Sequence, residues 1–312
     1  MLVVAVGAGA AVGFIARPTP APTPSPTPFP TPTQEPDSAP RVFEQPLSSG
    51  CATGEDVFVV SNGGGIGWFD GKRWQLIDST LRSLVSAACT RDTLLAVGGA
   101  GRVLTIDDIA KTIRADDVGI YDLNAISILP DGALVVGEQG NVQRQTAAGW
   151  IQFAQGLSED LFGVVGFSGS SAWAVGSGGV SYRLETAGWR PFETGTSAAL
   201  RTVTGASASD AIAAGDDGVL LRFDGRWRPL ESGVKSTLRA SARAGGATYV
   251  TGDGGVVLQV TGAGVTRVDL GTSCAVTGVF GRGAEMWFVG SEGLHSGVWR
   301  RIGDKIDHWG TC

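Results

Sequence analysis

Beyond residue 40, short apolar runs alternate with clusters of glycine and small polar residues, and no long stretch has the 3.6-residue apolar period of an amphipathic helix. Residues 200–231 show this most clearly, because the runs "LRTVTG", "AIAAGD", "VLLRFD" and "RWRPLE" follow one another there. Turn-forming residues dominate the junctions, which read "ASASD", "GDDG" and "DGR". The pattern predicts four short antiparallel strands joined by tight turns.

This four-strand unit recurs along the chain. A glycine-rich tetrapeptide joins the second predicted strand to the third, and it returns at steps of 37–39 residues. Its first residues are Ser61, Gly98, Gly137, Gly176, Gly215, Gly252 and Gly290. A four-stranded unit of this size cannot bury both faces alone, so neighbouring units must stack. Repeats of this kind are typical of propeller blades, of which four to eight form a ring.

The sequence therefore predicts an all-β protein, a seven-bladed β-propeller of four-stranded antiparallel blades over residues 41–312. An open solenoid of the same units is the alternative, although seven units fit closure of a ring. Four units carry a tryptophan twelve or thirteen residues after the tetrapeptide begins, namely Trp74, Trp150, Trp189 and Trp227. We expect these side chains to pack between blades rather than to stack on a ligand.

The first forty residues have a different composition. Leu2–Ala16 contains no charged residue, and as a helix it would reach about 22 Å, less than the roughly 30 Å of a bilayer core. We interpret residues 1–16 as an apolar membrane anchor or signal-like segment, or the remainder of a longer transmembrane helix. Proline then occupies every even position from Pro18 to Pro32, so residues 17–40 are expected to form a Pro/Thr-rich polyproline II linker. A proline-rich ligand for an SH3-type domain is the competing interpretation.

Two stretches resemble a known family. "AVGSGGVSYRLETAGW" (residues 174–189) and "WFDGKRW" (residues 68–74) are similar to repeats of the BNR/Asp-box superfamily, in particular its photosystem II stability/assembly factor-like branch. The resemblance covers residues 47–312 and implies a seven-bladed propeller, often extracytoplasmic and commonly a binding or assembly module. The fuller Asp-box survives only at Asp70-Gly71 and Asp224-Gly225. The second unit departs further, with Lys111 where tryptophan is expected.

Composition excludes several classes of function. The net charge of −6 and the isoelectric point near 5.0 argue against a nucleic acid as partner. Two histidines leave little room for a His-rich metal site or a His-based catalytic triad. No nucleophile elbow, HExxH, P-loop or EF-hand calcium loop occurs in the chain. We expect no cofactor, no metal and no catalytic residue.

In a propeller, the turns between second and third strands share a face with the links that lead into each innermost strand. Acidic residues gather in both places. In the tetrapeptides they are Glu138, Asp216, Asp217, Asp253 and Glu292, and in the predicted links Asp78, Asp116, Asp117, Glu159 and Asp160. The clustering predicts an acidic rim that favours a basic partner or cations through its field. Solvated turn residues that keep the protein soluble are the simpler interpretation.

Three arginines follow a leucine at the start of an innermost strand, namely Arg82, Arg201 and Arg239. Such a group is able to clamp a carboxylate or phosphate, but salt bridges with the acidic rim are the favoured use. A sialidase-like enzyme would need an arginine cluster together with a tyrosine nucleophile and an acid partner. Of the three tyrosines, Tyr121, Tyr182 and Tyr249, the last two lie in predicted strands where packing explains them.

The four cysteines are widely spaced, which suits buried thiols or two disulfides according to the compartment. Cys51 and Cys89 fall near the ends of the innermost strands of units one and two, and Cys274 and Cys312 belong to the last unit and its tail. We predict the pairs Cys51–Cys89 and Cys274–Cys312.

The function expected from the sequence is that of an extracytoplasmic, membrane-tethered module of the cell envelope, or a secreted one, that binds, senses or scaffolds without catalysis. Its expected ligand is a protein or a glycan at the propeller face, and the ring is expected to be monomeric. The alternatives are a sialidase-like carbohydrate-active enzyme, and the outer sensor domain of a longer transmembrane receptor such as a kinase.

Overall fold

The fold is known from a computed structural model that describes residues 27–28, 41–54, 56–78, 82–154 and 156–312. The predicted anchor (1–16) and all but two residues of the predicted linker (17–40) lie outside the described residues. The bounds assigned to those two segments therefore stay predictions.

The described chain forms seven antiparallel blades of four strands, which follow one another in chain order. A two-residue strand, β1 (Thr27–Pro28), precedes them. Blade 1 contains β2 (Leu47–Ala52), β3 (Val57–Ser61), β4 (Gly65–Phe69) and β5 (Trp74–Asp78). Blade 2 contains β6 (Leu84–Cys89), β7 (Thr93–Gly98), β8 (Arg102–Asp107) and β9 (Thr112–Asp117). Blade 3 contains β10 (Leu123–Leu129), β11 (Gly132–Gly137), β12 (Val142–Thr146) and β13 (Gly149–Gln152).

The remaining blades repeat this order. Blade 4 contains β14 (Leu161–Ser168), β15 (Ser171–Gly176), β16 (Ser181–Glu185) and β17 (Gly188–Pro191). Blade 5 contains β18 (Leu200–Ser207), β19 (Asp210–Gly215), β20 (Leu220–Phe223) and β21 (Trp227–Pro229). Blade 6 contains β22 (Leu238–Ala244), β23 (Ala247–Gly252), β24 (Val256–Thr261) and β25 (Gly264–Arg267). Blade 7 contains β26 (Ala275–Arg282), β27 (Glu285–Glu292), β28 (His295–Ile302) and β29 (Lys305–Gly310). Short 3₁₀ turns occur at Arg41–Glu44, Gly99–Gly101, Glu138–Gly140, Ser177–Gly179 and Asp216–Gly218.

The first strand of each blade is innermost and the fourth is farthest from the centre, except that β1 pairs outside the fourth strand of blade 2. Blade 7 packs on blade 1. The seven units therefore close into a ring. The predicted seven-bladed propeller is confirmed, and the open solenoid is excluded.

Two glycines of the repeated tetrapeptide are required by close backbone contacts. A Cβ on Gly215 would lie 1.9 Å from the carbonyl oxygen of Ala199, which immediately precedes the innermost strand of the same blade. A Cβ on Gly218, at φ +71°, would lie 2.0 Å from the carbonyl oxygen of Val234 in the link to the next blade. Between them, the Asp216 N–H donates a 2.9 Å hydrogen bond to Ala199 O. The tetrapeptides of blades 2 to 6 thus bind their own blade's link and contact the next one.

The four repeated tryptophans pack between blades, as predicted. Each lies in or against an apolar cluster formed by its own blade and the preceding one. Trp227, for example, packs on Trp173 of blade 4 with ring centroids 5.1 Å apart, and its indole N–H donates to Ser181 Oγ at 3.0 Å.

In blade 2, a charged residue takes the place of the tryptophan that contacts the preceding blade. Lys111 occupies the tryptophan position and reaches blade 1, where its ammonium lies 2.7 Å from an Asp56 carboxylate oxygen and 4.6 Å from the centroid of Trp68. It also pairs with Asp108 of its own blade, whose carboxylate accepts a 2.6 Å hydrogen bond from Thr53 Oγ1. An ionic cluster here replaces an aromatic contact.

No strand is exchanged between blades 7 and 1 among the described residues, so the ring closes by side-chain packing. Phe69 and Trp74 of blade 1 meet Trp287 and Trp309 of blade 7, with centroid distances of 5.3–6.4 Å. The backbone at Leu47 contributes three hydrogen bonds, because its N–H donates to Ser296 Oγ and its carbonyl accepts from Thr277 Oγ1 and Ser291 Oγ.

Both predicted disulfides are confirmed. Cys51–Cys89 joins the innermost strands of blades 1 and 2, with Cα atoms 5.5 Å apart. Cys274–Cys312 ties the residue before β26 to the end of the chain, with Cα atoms 6.1 Å apart.

The tetrapeptide contacts predict a difference between two glycines of similar backbone conformation. Gly218→Ala is expected to destabilise the fold by about 3 kcal/mol or more, because the alanine would be strained at a positive φ and the link at Val234 would also have to move. Gly233 has φ +72° and no atom within 4 Å of a built Cβ, so Gly233→Ala is expected to lose only about 1–2 kcal/mol. Denaturant unfolding of both variants measures the difference, and equal losses would contradict the steric account.

Candidate functional site

The seven tetrapeptide turns and the links that enter the innermost strands lie at one end of the blades. We call this end the tetrapeptide face; its turns are residues 61–64, 98–101, 137–140, 176–179, 215–218, 252–255 and 290–293. In blades 1 to 6, the second residue of the turn donates its N–H to the carbonyl that precedes the innermost strand, with N···O distances of 2.9–3.0 Å. These repeated backbone contacts make the face a rigid surface.

A central cavity of about 370 Å³ is lined by the innermost strands of all seven blades. Its wall includes the Cys51–Cys89 disulfide, Phe162, Arg201 and Arg239. Innermost strands of neighbouring blades do not pair by backbone ladders, and side chains connect several of them instead. Ser48 Oγ donates to Leu84 O at 2.6 Å. Similar contacts are Asn124 Nδ2 to Leu161 O at 2.9 Å and Thr202 Oγ1 to Ser241 Oγ at 2.7 Å.

Two of the three predicted arginines reach this cavity, and both are paired. Arg201 forms a bidentate ion pair with Asp216, in which Nε and Nη2 lie 3.0 and 2.7 Å from the two carboxylate oxygens. Its guanidinium lies 4.6 Å from the centroid of the Phe162 ring. Arg239 binds Asp253 in the same manner, with Nη2 at 3.0 Å from the second carboxylate oxygen. The guanidinium hydrogen bond from Arg201 lowers the pKa of Asp216.

The third arginine lies elsewhere. Arg82 is exposed, is not among the residues that line the described cavity, and pairs with Asp117 at 3.1 Å. The same carboxylate accepts from Arg102 at 2.8 Å. The structure therefore places all three predicted arginines in salt bridges with acidic residues, which is the use favoured by the sequence.

The acidic rim is only partly where the sequence placed it. Asp116 and Asp117 belong to β9 and Asp78 ends β5, so these three residues are not in links, because the outermost strands of blades 1 and 2 extend further than predicted. Glu159 and Asp160 do lie in a link. Asp160 accepts the Gln139 N–H at 2.9 Å and thereby stabilises a turn residue with φ +53°.

The other predicted acids occupy the tetrapeptide turns and differ in surroundings. Glu138 is half-buried, whereas Asp217 and Glu292 are exposed. Asp217 borders a separate groove of about 790 Å³ beside blade 5, and a carboxylate oxygen of Glu292 lies 3.8 Å from the Cys274 sulfur. Because several carboxylates of this face are neutralised by arginines, the face is mixed in charge rather than uniformly acidic.

Tyr182 and Glu159 form a polar pair on the tetrapeptide face of blade 4. The phenol of Tyr182 donates a 2.7 Å hydrogen bond to Glu159 Oε2. Burial and this carboxylate raise the pKa of Tyr182 to about 12, and the phenol's hydrogen bond lowers the pKa of Glu159. Both shifts favour a neutral phenol beside an ionised carboxylate.

Sequence reasoning missed two features of this face. Asp122 accepts the Ala100 N–H at 2.7 Å, as Asp160 does for the next turn, and the signal was an aspartate immediately before an innermost strand. Apolar side chains are also exposed here, with Ile120 at 81% and Leu294 at 71%. Ile120 stands with the less exposed Tyr121 in the link "VGIYD", where a polar residue would be ordinary.

The described residues contain no group of three or more His, Cys, Asp and Glu side chains arranged to hold a metal ion. Among the same residues, no helix combines the length and the apolar character that are needed to span a bilayer.

Comparison with known proteins identifies the fold. The chain is similar to the WD40 β-propeller domain of Doa1, with TM-score 0.71, 13% identity, and coverage of 82% of this chain and 93% of that one. It is also similar to YCF48 in a structure bound to D1 peptide, with TM-score 0.67, 15% identity, and coverage of 84% and 93%. The WD40 repeats of RRP9 match with TM-score 0.69 and 11% identity over 80% and 88%. No family model matches the chain, and no curated protein matches it.

At these identities the likeness shows the fold alone. Together with the geometry above, it defines the class of protein: a disulfide-linked seven-bladed β-propeller with a central cavity and one face built from rigid glycine turns.

The Tyr182–Glu159 pair predicts a titration. Because the folded pKa of Tyr182 lies above the ordinary value near 10, the hydrogen bond contributes its full stability below about pH 10 and loses it as the pH rises toward 12. An ultraviolet titration of phenolate should contain one component near pH 12 that is absent in Tyr182→Phe. In Glu159→Gln, which removes the charge, that component should move toward 10. Loss of a component near pH 10 in Tyr182→Phe, or no change of the component near pH 12 in Glu159→Gln, would contradict the pairing.

Proposed function

We propose that this propeller is a non-catalytic module that binds an extended segment of a protein across its tetrapeptide face. The observation that carries the proposal is the exposed Ile120–Tyr121 pair, which stands in a rigid link that leads directly into the cavity-lining strand β10. Contiguous exposed apolar surface rimmed by polar residues marks protein interaction sites, and we propose that Ile120 and Tyr121 form such a patch.

The geometry of the face supports a ligand in extended conformation. The central cavity is able to accept one or two side chains, and the arginine–aspartate pairs around it provide both donors and acceptors for a backbone. Since the turns and links are already held by hydrogen bonds, binding would require little ordering of the face, which favours affinity.

The similarity to a solved propeller supports a peptide as the ligand. YCF48, whose structure contains a bound D1 peptide, has the same fold. The repeats also resemble those of the BNR/Asp-box superfamily, of which many members are binding or assembly modules, and we propose that this chain is a divergent relative.

We further propose that the propeller works outside the cytoplasm, tethered by its first sixteen residues. The two disulfides support this, because such bonds persist in oxidising compartments and are rare in the cytosol.

The sialidase-like alternative is less well supported. Tyr182 and Glu159 do form a tyrosine–acid pair at 2.7 Å, as such an enzyme needs, but neither residue lines the central cavity. Tyr182 lies on β16, the third strand of its blade, while the arginines at the cavity are engaged by aspartates.

The proposal is tested with two isoleucines on opposite faces. Ile120 is 81% exposed on the tetrapeptide face, and Ile109 is 77% exposed in the β8–β9 turn at the other end of blade 2. Peptides would be selected from a displayed random library on the full oxidised chain, and their affinities measured for Ile120→Asp and Ile109→Asp. We expect Ile120→Asp to weaken binding at least about tenfold, equivalent to about 1.4 kcal/mol, and Ile109→Asp to leave it unchanged.

Equal affinities for the two variants would place the ligand elsewhere and contradict the proposal. Retention of the chain on a glycan array, with no peptide selected, would favour the glycan alternative.

The proposed compartment is tested on protein isolated from its native cells without reductant. No free thiol among the four cysteines is expected there, and four free thiols would overturn the proposed compartment.

A further inference from the structure

Blade 2 has a fifth strand. The two-residue strand β1 pairs antiparallel with the outermost strand β9, with Thr27 opposite Ile113 and Pro28 opposite Thr112. The other six blades have four strands each among the described residues. The residues that pair belong to the stretch in which every even position from Pro18 to Pro32 is proline, so the pairing joins the predicted linker to the ring.

The alternation of proline has a specific consequence for strand pairing. In an antiparallel strand, the N–H and C=O of one residue point to the same side, and those of the next residue point to the opposite side. A strand with proline at every second position therefore presents all its N–H groups on one side and none on the other. Since Pro28 has no N–H, the donor that faces β9 must come from Thr27.

The strand that pairs with β1 would otherwise expose a long edge of backbone groups. At six residues, β9 is longer than the outermost strands of blades 1, 3, 4, 5 and 6, and none of its residues is buried. A long exposed edge presents unpaired backbone groups that invite pairing with another chain. A partner strand that has donors on only one side satisfies such an edge and cannot itself be extended by a further strand.

We propose that Thr27–Pro28 is an edge-capping strand for blade 2, held by backbone pairing through Thr27. It pairs with β9 from one side and presents a side without N–H groups to solvent, so that it terminates the sheet. The interaction surface is the outer edge of β9, and its occupant is this chain's own Thr27–Pro28 segment.

The proposal is tested in the full chain by hydrogen–deuterium exchange of the β9 backbone. Thr27→Pro removes the backbone donor through which the segment pairs with β9. The segment is then expected to detach, so that the Ile113 N–H loses the acceptor on Thr27 and exchanges at least about tenfold faster. Thr27→Ala keeps the backbone donor of residue 27, and Pro28→Ala changes the side that faces solvent. Both variants are therefore expected to leave exchange at Ile113 as in the wild type.

Exchange in β29, the outermost strand of blade 7, is the internal control and is expected to stay unchanged in all variants. Equal protection of Ile113 in wild type and Thr27→Pro would overturn the proposal. So would acceleration by Thr27→Ala as large as that by Thr27→Pro, since the side chain rather than the backbone donor would then hold the segment.

Discussion

The structure depends on one contact, the packing of blade 7 against blade 1. A four-stranded sheet of this size buries its apolar faces only between two neighbours, so every blade relies on the ring being complete. Because the described chain exchanges no strand at this junction, closure rests on Phe69 and Trp74 against Trp287 and Trp309, and on the hydrogen bonds at Leu47. Trp287 is fully buried, as expected of a side chain that holds two blades together.

Closure also determines what the protein is able to do. Once the blades form a circle, the innermost strands surround a cavity and the tetrapeptide turns converge on one face. The glycines that recur along the chain are explained by this geometry, since at Gly215 and Gly218 a side chain would collide with the backbone of a link. The repeated phrase is therefore structural, and the proposed binding function has to rest on residues that differ between blades, such as Ile120.

Much of this fold was predictable from the sequence. The period gave the blade count, the spacing of Trp227 and its equivalents indicated contacts between blades, and the positions of Cys51 and Cys89 on neighbouring strands indicated a disulfide. Each of these follows from one repeat that obeys local rules.

The charges were harder to predict, because a periodic pattern does not say which carboxylate meets which guanidinium. Asp117 was expected in a link, yet it lies on β9 between Arg82 and Arg102. Lys111 was only a departure from the repeat in sequence, and its ion pair with Asp56 depends on a turn of another blade. The exposure of Ile120 likewise depends on how a single link is folded.

Native-state hydrogen exchange tests closure most directly. The experiment compares β3 in blade 1 and β27 in blade 7 with β15 in blade 4, which is remote from the junction. A closed ring predicts that all three strands exchange only through the same global unfolding, with one shared free energy. If β3 and β27 open at a clearly lower free energy than β15, the two ends fray as in an open stack, and the account is wrong.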